Sequence, residues 1–457
     1  MIKRVLIANR GEIALRVIRA CKELGIESIA IYSEPDKESM HVIAADRALC
    51  IGPRDTRASY LNRDAILTAA KATGTDAIHP GYGFMAEDPS FARSCIDEGI
   101  IWIGPPVSAI ERMGDKAVAR ETMRAAGVPI VPGSDGIISD PKKAIKLANS
   151  IGYPLLIKAS AGGGGKGMRA VLTSDQFDEA LSLARAEAGT AFGNDSVYLE
   201  KLLTNVRHIE VQVLGDSHGN VIHLGERDCS SQRRRQKVLE EAPAPGIPNE
   251  IRMKMGNAAV AAAKAVDYAG AGTVEFIYDV DSNNYYFMEM NTRIQVEHPI
   301  TEFITGVDLV QEQISVADGN PLRYRQDEIS FTGHAIECRI NAEDPETFLP
   351  NAGQISRYNT PGGPGVRVDS HCYDGYIMPP FWDSLLAKLI VWAPTREEAI
   401  ARMKRALLEY KIEGVSTTIP FQLNLLDTAL FRDGAMLTDS VEKMIEDGTL
   451  RRSSESK

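Results

Sequence analysis

The sequence predicts a mixed α/β and α+β chain. An N-terminal unit is built on a doubly wound parallel sheet, a small unit follows, and a large C-terminal unit carries a mainly antiparallel sheet. Three observations predict this. Short apolar runs alternate with helical periodicities over residues 1–114, the βαβ rhythm of a parallel sheet. A Pro/Gly-rich connector ends the helical stretch DKAVARETMRAAGVPIVPG at 115–133, which marks a boundary. Beyond residue 204 long alternating strands mix with two strongly helical segments. A chain of 457 residues also exceeds what one core supports.

The elements follow in order. KRVLIA (3–8) is a buried strand, EIALRVIRACKELG (12–25) a helix closed by Gly25, and SIAIYS (28–33) a second strand. YLNRDAILTAAKATG (60–74) is another helix, followed by DAIHPGYGF. The first turn reads ANRGE, not GxGxxG, so a dinucleotide fold is disfavoured. The helical linker 115–133 leads into a unit at 134–203: helix DPKKAIKLANSIG, strand YPLLIKAS, a glycine loop, strand GMRAVL, helix DQFDEALSLARAEAGTAF and strand VYLEKLL. The unit 204–450 holds strands HIEVQVLG, VIHLGE, TVEFIYD and YYFMEMN, and helices NEIRMKMGNAAVAAAKAV and REEAIARMKRALLEY.

Composition excludes several function classes. With a net charge of -11, wholesale binding to nucleic acid or to an acidic membrane is disfavoured. No apolar run reaches the roughly 18 residues of a membrane helix, and the N-terminus reads as a strand rather than a signal peptide. Six scattered cysteines without a CxxC pair suit reduced thiols in a cytoplasmic enzyme.

Three stretches carry chemistry. KASAGGGGKGMRAV (158–171) places Gly162, Gly163, Gly164, Gly165 and Lys166 between two strands. That suits a hairpin flap whose bare amides approach phosphate oxygens, not a P-loop. Lys158, inside an apolar strand, needs an anion or a carboxylate. In GTVEFIYDVDSNNYYFMEMN (272–291) a hairpin centred on Ser282 sets Glu275 opposite Glu289. Such a pair suits Mg²⁺ or Mn²⁺; a pair bonded to arginines is the alternative. Read as a continuing strand, 289–297 puts Glu289, Asn291, Arg293, Gln295 and Glu297 on one face. Finally, RDCSSQRRRQKVLEEAPAPG gathers Arg227, Arg233, Arg234, Arg235 and Lys237 into a local anion site for phosphate or bicarbonate. Ion pairs with Glu240 and Glu241 are expected for some of these arginines.

Together with KRVLIANRGEIALRVIRA, DAIHPGYGFMAEDPSFA, GPPVSAIERMGDK, RHIEVQVLGD, QRRRQKVLEEAPAP, MEMNTRIQVEHPITE and GHAIECRINAEDP, these stretches make nearly the whole chain resemble the biotin carboxylases of the ATP-grasp superfamily. The resemblance implies an ATP-grasp fold with an N-terminal α/β domain, a lid domain and a C-terminal antiparallel-sheet domain. It implies ATP contacts at Lys116, Lys158, His208, Gln232, Glu275, Glu289 and the lid residues Gly162 to Lys166, with adenine at Glu200, Lys201 and Leu203. It places metal ligands at Glu275, Glu289 and Asn291, with two Mg²⁺ or Mn²⁺. Bicarbonate falls to Lys237, Arg293, Gln295, Val296 and Glu297, with Glu297 as general base, and the biotin enolate to Arg339. Catalytic roles are therefore expected at Glu297, Lys237, Arg293 and Arg339.

The resemblance further implies that biotin is a substrate on a separate biotin carboxyl carrier protein, and that a carboxyltransferase subunit is the second partner. Acetyl-CoA carboxylase is the commonest setting for such a free-standing subunit. Pyruvate, 2-oxoglutarate and other acyl-CoA carboxylases, a different ATP-grasp ligase, and a non-catalytic nucleotide-binding protein are the alternatives. Arg19, Glu23 and Arg367 match dimer-interface positions, so a homodimer is expected, although Pro364 replaces a bulkier residue. Arg235 stands where a histidine is usual, and MLTDSVEK (436–443), with Thr438 in the adenine wall, lacks the usual aromatic. The MKM at 253–255 resembles a biotinylation motif around Lys254, but its helical context argues against attachment there.

Overall fold

The computed structural model describes residues 1–450 apart from 135, 139, 160–167 and 194. The glycine-loop residues Gly162, Gly163, Gly164, Gly165 and Lys166 lie outside the described residues. The strands that flank them, Leu155–Ala159 and Met168–Val171, do pair antiparallel, with Lys158 opposite Met168.

The N-terminal alternation folds as expected. Five parallel strands stand in the order Arg47–Gly52, Glu27–Ser33, Arg4–Ile7, Ala77–His79, Ile101–Trp102. Val5, Leu6 and Ile7 are fully buried, as a parallel strand covered on both faces requires. The first helix spans Gly11–Glu23, and Gly25 adopts the left-handed φ of +69° just past its end, the usual glycine stop. Asn62, Asp88 and Asp115 cap the N-termini of three further helices through their side chains, satisfying otherwise orphaned amides.

The large sheet has eight strands, all antiparallel, in the order Asn284–Asn291, Gly270–Asp279, Val206–Gly215, Val221–Asp228, Leu239–Ala242, His334–Asn341, Leu385–Ala393, Val366–Ser370. Helix Asn249–Lys264 covers one half of its apolar face with Met255, Ala258, Ala259, Ala262 and Ala263 against Ile209, Val211, Val274 and Phe276. Helix Arg396–Glu409 covers the other half. The alanine ladder has little side chain to hold the helix off the sheet, so the two pack closely. Lys254 lies in the first of these helices, bonded to Glu250 at 2.6 Å, and not in the exposed turn a biotinyl lysine needs.

A buried ion-pair cluster ties the N-terminal unit to the large sheet. Arg16 of the first helix reaches Glu302 at 2.9 Å and Asp308 at 2.7 Å, and Glu302 also receives Arg367 at 2.7 Å. Burial pushes the Glu302 carboxyl up, but the arginines outweigh it and hold it at about 2. A carboxylate whose folded value lies below its unfolded one stabilises the fold above the unfolded value, and that contribution disappears as pH falls towards the folded value. Glu302→Gln is therefore expected to lose roughly 3 kcal/mol at neutral pH. Its thermal midpoint should then fall less steeply than that of the unaltered protein between about pH 5 and pH 2, as calorimetry at stepped pH reads directly. Parallel curves for the two proteins would remove Glu302 from the acid response.

Candidate functional site

The polar face of the sheet carries a row of charge. Glu289 is directly opposite Glu275, Glu275 is opposite Glu210, and Glu210 is opposite Arg227, across four adjacent strands. Directly opposed residues share a face, so three carboxylates and one guanidinium stand side by side. The opposition of Glu275 and Glu289 arises differently from the Ser282-centred hairpin. At the turn Asp279 pairs with Asn284 and Phe276 with Phe287, and the register then shifts at Met288. Without that one-residue bulge, Met288 would face Glu275. The bulge turns the second carboxylate onto the polar face.

Lys237 neutralises the row. Its ammonium lies 2.6 Å from Glu210, 3.1 Å from Glu275 and 2.6 Å from Glu297. Burial would push the Lys237 value down, yet these carboxylates reverse it and hold it well above its ordinary value. Burial likewise raises Glu275 and Glu297, but Lys237 together with His208 and Gln295 at Glu275, and with Arg339 and Arg227 at Glu297, outweighs it, and each sits well below the usual carboxylate range. Glu289 is raised, by burial and by its neighbour Glu275. Among the described residues no side chain bonds the Glu289 carboxyl. His208 Nε2 lies 3.1 Å from Glu275, and Asn291 Nδ2 donates to Glu275 at 2.8 Å. On the far side of Glu297, Arg339 donates to it at 3.0 Å and to Glu240 at 2.7 Å.

Three expectations are corrected here. The strand ends at Asn291, and 292–297 turns through bends into helix His298–Thr305, so one strand face does not align 289–297. The turns still deliver the same side chains. Gln295 donates to Glu275 at 2.8 Å, and Arg293 donates to Asn291 at 3.0 Å and to Glu87 at 2.9 Å. Val296 offers its carbonyl to the buried Lys388 at 2.9 Å. Second, Arg227 is not part of an anion site. It is wholly buried and bonded to protein groups. Nor do the loop arginines pair with Glu240 and Glu241, which instead hold Arg339, and His334 with Arg396.

These residues border a cleft of about 1840 Å³. Lys116, Lys158, Glu200, Gln232 and Thr438 also line it. Lys158 pairs with Glu200, which Arg120 also holds. Lys201 and Leu203 do not line the cleft; the Lys201 ammonium serves the carbonyls of Gly152 at 3.0 Å and Tyr153 at 2.8 Å. Arg235 does line it. It and Arg234 form the two-residue tip between Gln232–Arg233 and Gln236–Lys237, with left-handed φ of +65° and +47°. Glu210 and Glu87 are site residues that sequence reasoning passed over. Glu210 was legible, because His208, Glu210 and Gln212 alternate with Ile209, Val211 and Val213; Glu87 gave no such signal.

Residues 1–110 match the family "Biotin carboxylase, N-terminal domain", 115–325 "Carbamoyl-phosphate synthase L chain, ATP binding domain", and 337–443 "Biotin carboxylase C-terminal domain". Biotin carboxylase 1 of Bacillus subtilis is 59% identical over 443 residues, covering 97% of this chain and 98% of that protein. The chain belongs to the biotin carboxylase family. A pyruvate carboxylase subunit of Methanothermobacter thermautotrophicus is 55% identical over 444 residues, covering 97% of this chain and 90% of that one. A biotin carboxylase from Campylobacter jejuni, crystallised as a β,γ-ATP complex, superposes with a TM-score of 0.90 at 48% identity, covering 97% of this chain and 99% of that one. The biotin carboxylase domain dimer of Hydrogenobacter thermophilus 2-oxoglutarate carboxylase, solved with MgADP, ADP and bicarbonate, gives 0.89 at 53% identity, covering 99% and 100%. The architecture is thus the ATP-grasp fold of biotin carboxylases, and the chain is an ATP-grasp ligase of that family.

In this biotin carboxylase, removing the central ammonium strands three carboxylates. Lys237→Met is expected to cost about 3 kcal/mol or more, the usual penalty for breaking a buried ion pair. Adding Glu210→Gln should recover part of the loss. Denaturant titration of the single and double variants checks this, and simple additivity of the two losses would contradict it.

Proposed function

We propose that the chain carboxylates N1 of biotin, using ATP and bicarbonate, on a biotin carboxyl carrier protein, as one component of acetyl-CoA carboxylase. The observation that supports this best is the Lys237 ammonium held between Glu275 and Glu297 in a cleft that also carries Lys158 and Arg339. One end of the cleft offers cations for phosphates; the other offers a base and a guanidinium for a small anion and an enolate.

ATP binding is assigned to Lys116, Lys158, His208, Gln232 and the loop Gly162 to Lys166, with adenine beside Glu200, Lys201 and Leu203. Because the Lys201 ammonium is committed to two carbonyls, its part falls to its main chain. Glu275, Glu289 and Asn291 are all oxygen-bearing, and Glu289 is free of bonds among the described residues, a donor set suited to Mg²⁺ or Mn²⁺. Two such ions bound there supply positive charge that offsets the charge of the phosphates.

Bicarbonate is assigned to Lys237, Arg293, Gln295, Val296 and Glu297. Glu297 is ionised and so ready to accept the bicarbonate proton. As bicarbonate takes up the donors of Lys237, Glu297 loses part of the stabilisation that depresses its pKa and becomes the stronger base. The carbonate oxygen attacks the γ-phosphorus, ADP leaves, and carboxyphosphate splits into CO2 and phosphate. Phosphate then takes the N1 proton of biotin, Arg339 stabilises the enolate, and N1 attacks CO2.

The acetyl-CoA setting is supported by the near-complete mutual coverage with Biotin carboxylase 1 of Bacillus subtilis; the pyruvate and 2-oxoglutarate relatives make those acceptors the alternative. The same reading includes a carboxyltransferase partner, a homodimer like that of the Hydrogenobacter thermophilus domain, and a cytoplasmic location. Among the described residues no helix is long and apolar enough to cross a membrane.

The test is phosphate release from MgATP with bicarbonate, with and without free biotin. Turnover should require bicarbonate and rise with biotin. Glu297→Gln is expected to bind MgATP normally yet lose bicarbonate-dependent turnover by about a hundredfold or more. Chelating the divalent cation with EDTA should abolish turnover in both proteins. Retained turnover in Glu297→Gln would remove Glu297 as the base. Adding carrier and carboxyltransferase components with acetyl-CoA or with pyruvate identifies the acceptor.

A further inference from the structure

We infer that Arg227 is a positioning residue for the bicarbonate end of the cleft: its fully bonded guanidinium fixes Glu210 and the Gln295 amide, and through them Lys237 and Glu275. The inference rests on the function proposed above.

A guanidinium has five N–H donors in one plane, and Arg227 places all five on different side chains. Nε donates to Glu210 at 2.5 Å. Nη1 donates to Gln212 at 2.7 Å and Thr301 at 2.9 Å. Nη2 donates to Thr273 at 3.2 Å and Gln295 at 3.1 Å. These acceptors sit on two strands, one helix and the loop before that helix. The side chain has 0% exposure, so every one of these bonds forms out of reach of water and none is interchangeable with solvent.

Two of the five bonds lead into the site. Glu210 spends one oxygen on Arg227 and the other on Lys237, 2.6 Å away. The guanidinium therefore sets where the carboxylate stands, and the carboxylate sets where the ammonium stands. Gln295 has its oxygen towards Arg227 and its nitrogen towards Glu275, 2.8 Å away. That orientation is forced: Arg227 presents only hydrogens, Glu275 only lone pairs, and a flipped amide would set donor against donor and acceptor against acceptor. Gln212 and Thr273, from the neighbouring row of the sheet, brace the guanidinium. Arg227 faces no open part of the cleft and is not among its lining residues. It acts only through others. Of the three carboxylates around Lys237, Arg227 bonds Glu210 directly, whereas Glu275, reached through Gln295, is also held by His208 and Asn291 and keeps its place when Gln295 shifts.

Arg227→Lys keeps the charge but offers at most three donors without a fixed plane. Steady-state phosphate release by the full chain, with MgATP and bicarbonate varied in turn, is the test. The KM for bicarbonate is expected to rise about tenfold, the effect of displacing one charge-assisted bond, while the KM for ATP changes less than about twofold. Glu210→Gln should show the same selectivity, and the double variant should be no worse than the more affected single one, since both act through Lys237. A rise in both KM values together, additive defects, or no change at all would overturn the inference, the first because a general packing role has no reason to spare ATP. Should Arg227→Lys fail to fold, Thr301→Val removes one brace from outside the site and should raise the bicarbonate KM by about threefold, again sparing ATP; an unchanged bicarbonate KM there would equally overturn it. The two readings fail separately. Unaltered protein without bicarbonate dependence counts against the proposed function, whereas normal bicarbonate dependence that survives Arg227→Lys counts against the positioning role.

Discussion

One ammonium inside a cage of carboxylates governs the centre of this molecule. Strand pairing alone forces Glu289, Glu275 and Glu210 into a row, and helix His298–Thr305 brings Glu297 to the same place. Such an array is untenable without compensating charge. Lys237 supplies it from a two-residue strand that, among the described residues, pairs only with Gln232–Arg233, so the most buried electrostatic demand is met by a short element at the rim. The arrangement makes the sheet, the loop after Asn291 and the basic hairpin interdependent.

Several cations of the cleft are already engaged with side chains of the chain itself: Lys158 with Glu200, Arg293 with Glu87, Arg339 with Glu240 and Glu297. An anionic substrate that binds these groups does so by exchanging partners. Exchange moderates affinity and ties binding to rearrangement of the acids, which in Glu297 also means a change in basicity.

Much of this was legible in the sequence, because periodicity reports which face a side chain takes. The βαβ alternation, the antiparallel C-terminal sheet, the paired strands around the glycine loop and the opposition of Glu275 and Glu289 follow from pattern. What pattern could not show are departures from regularity. The bulge at Met288 makes the opposition true for a reason no alternation reveals, and the bends at 292–297 gather side chains that a straight strand would have spread over some length of sheet. Arg227 reads as a member of a basic cluster only while neighbours in sequence stand for neighbours in space; the pleat sends it inward while Arg234 and Arg235 ride the exposed tip. Glu87 contacts Arg293 across a wide gap in sequence, where single-chain pattern carries no information.

The bulge also separates two parts of the outer hairpin. Residues 280–283 at its tip are exposed, and the pairing of Glu289 with Glu275 is set beyond Met288, after the register shift rather than by the turn. The tip is consequently a place to splice in a fluorophore, an affinity peptide or a tether to a surface, since length added there is absorbed before it reaches the acids. Excising Met288 would remove the bulge itself: Glu289 would follow Phe287 directly and still stand opposite Glu275, now in an unbroken register.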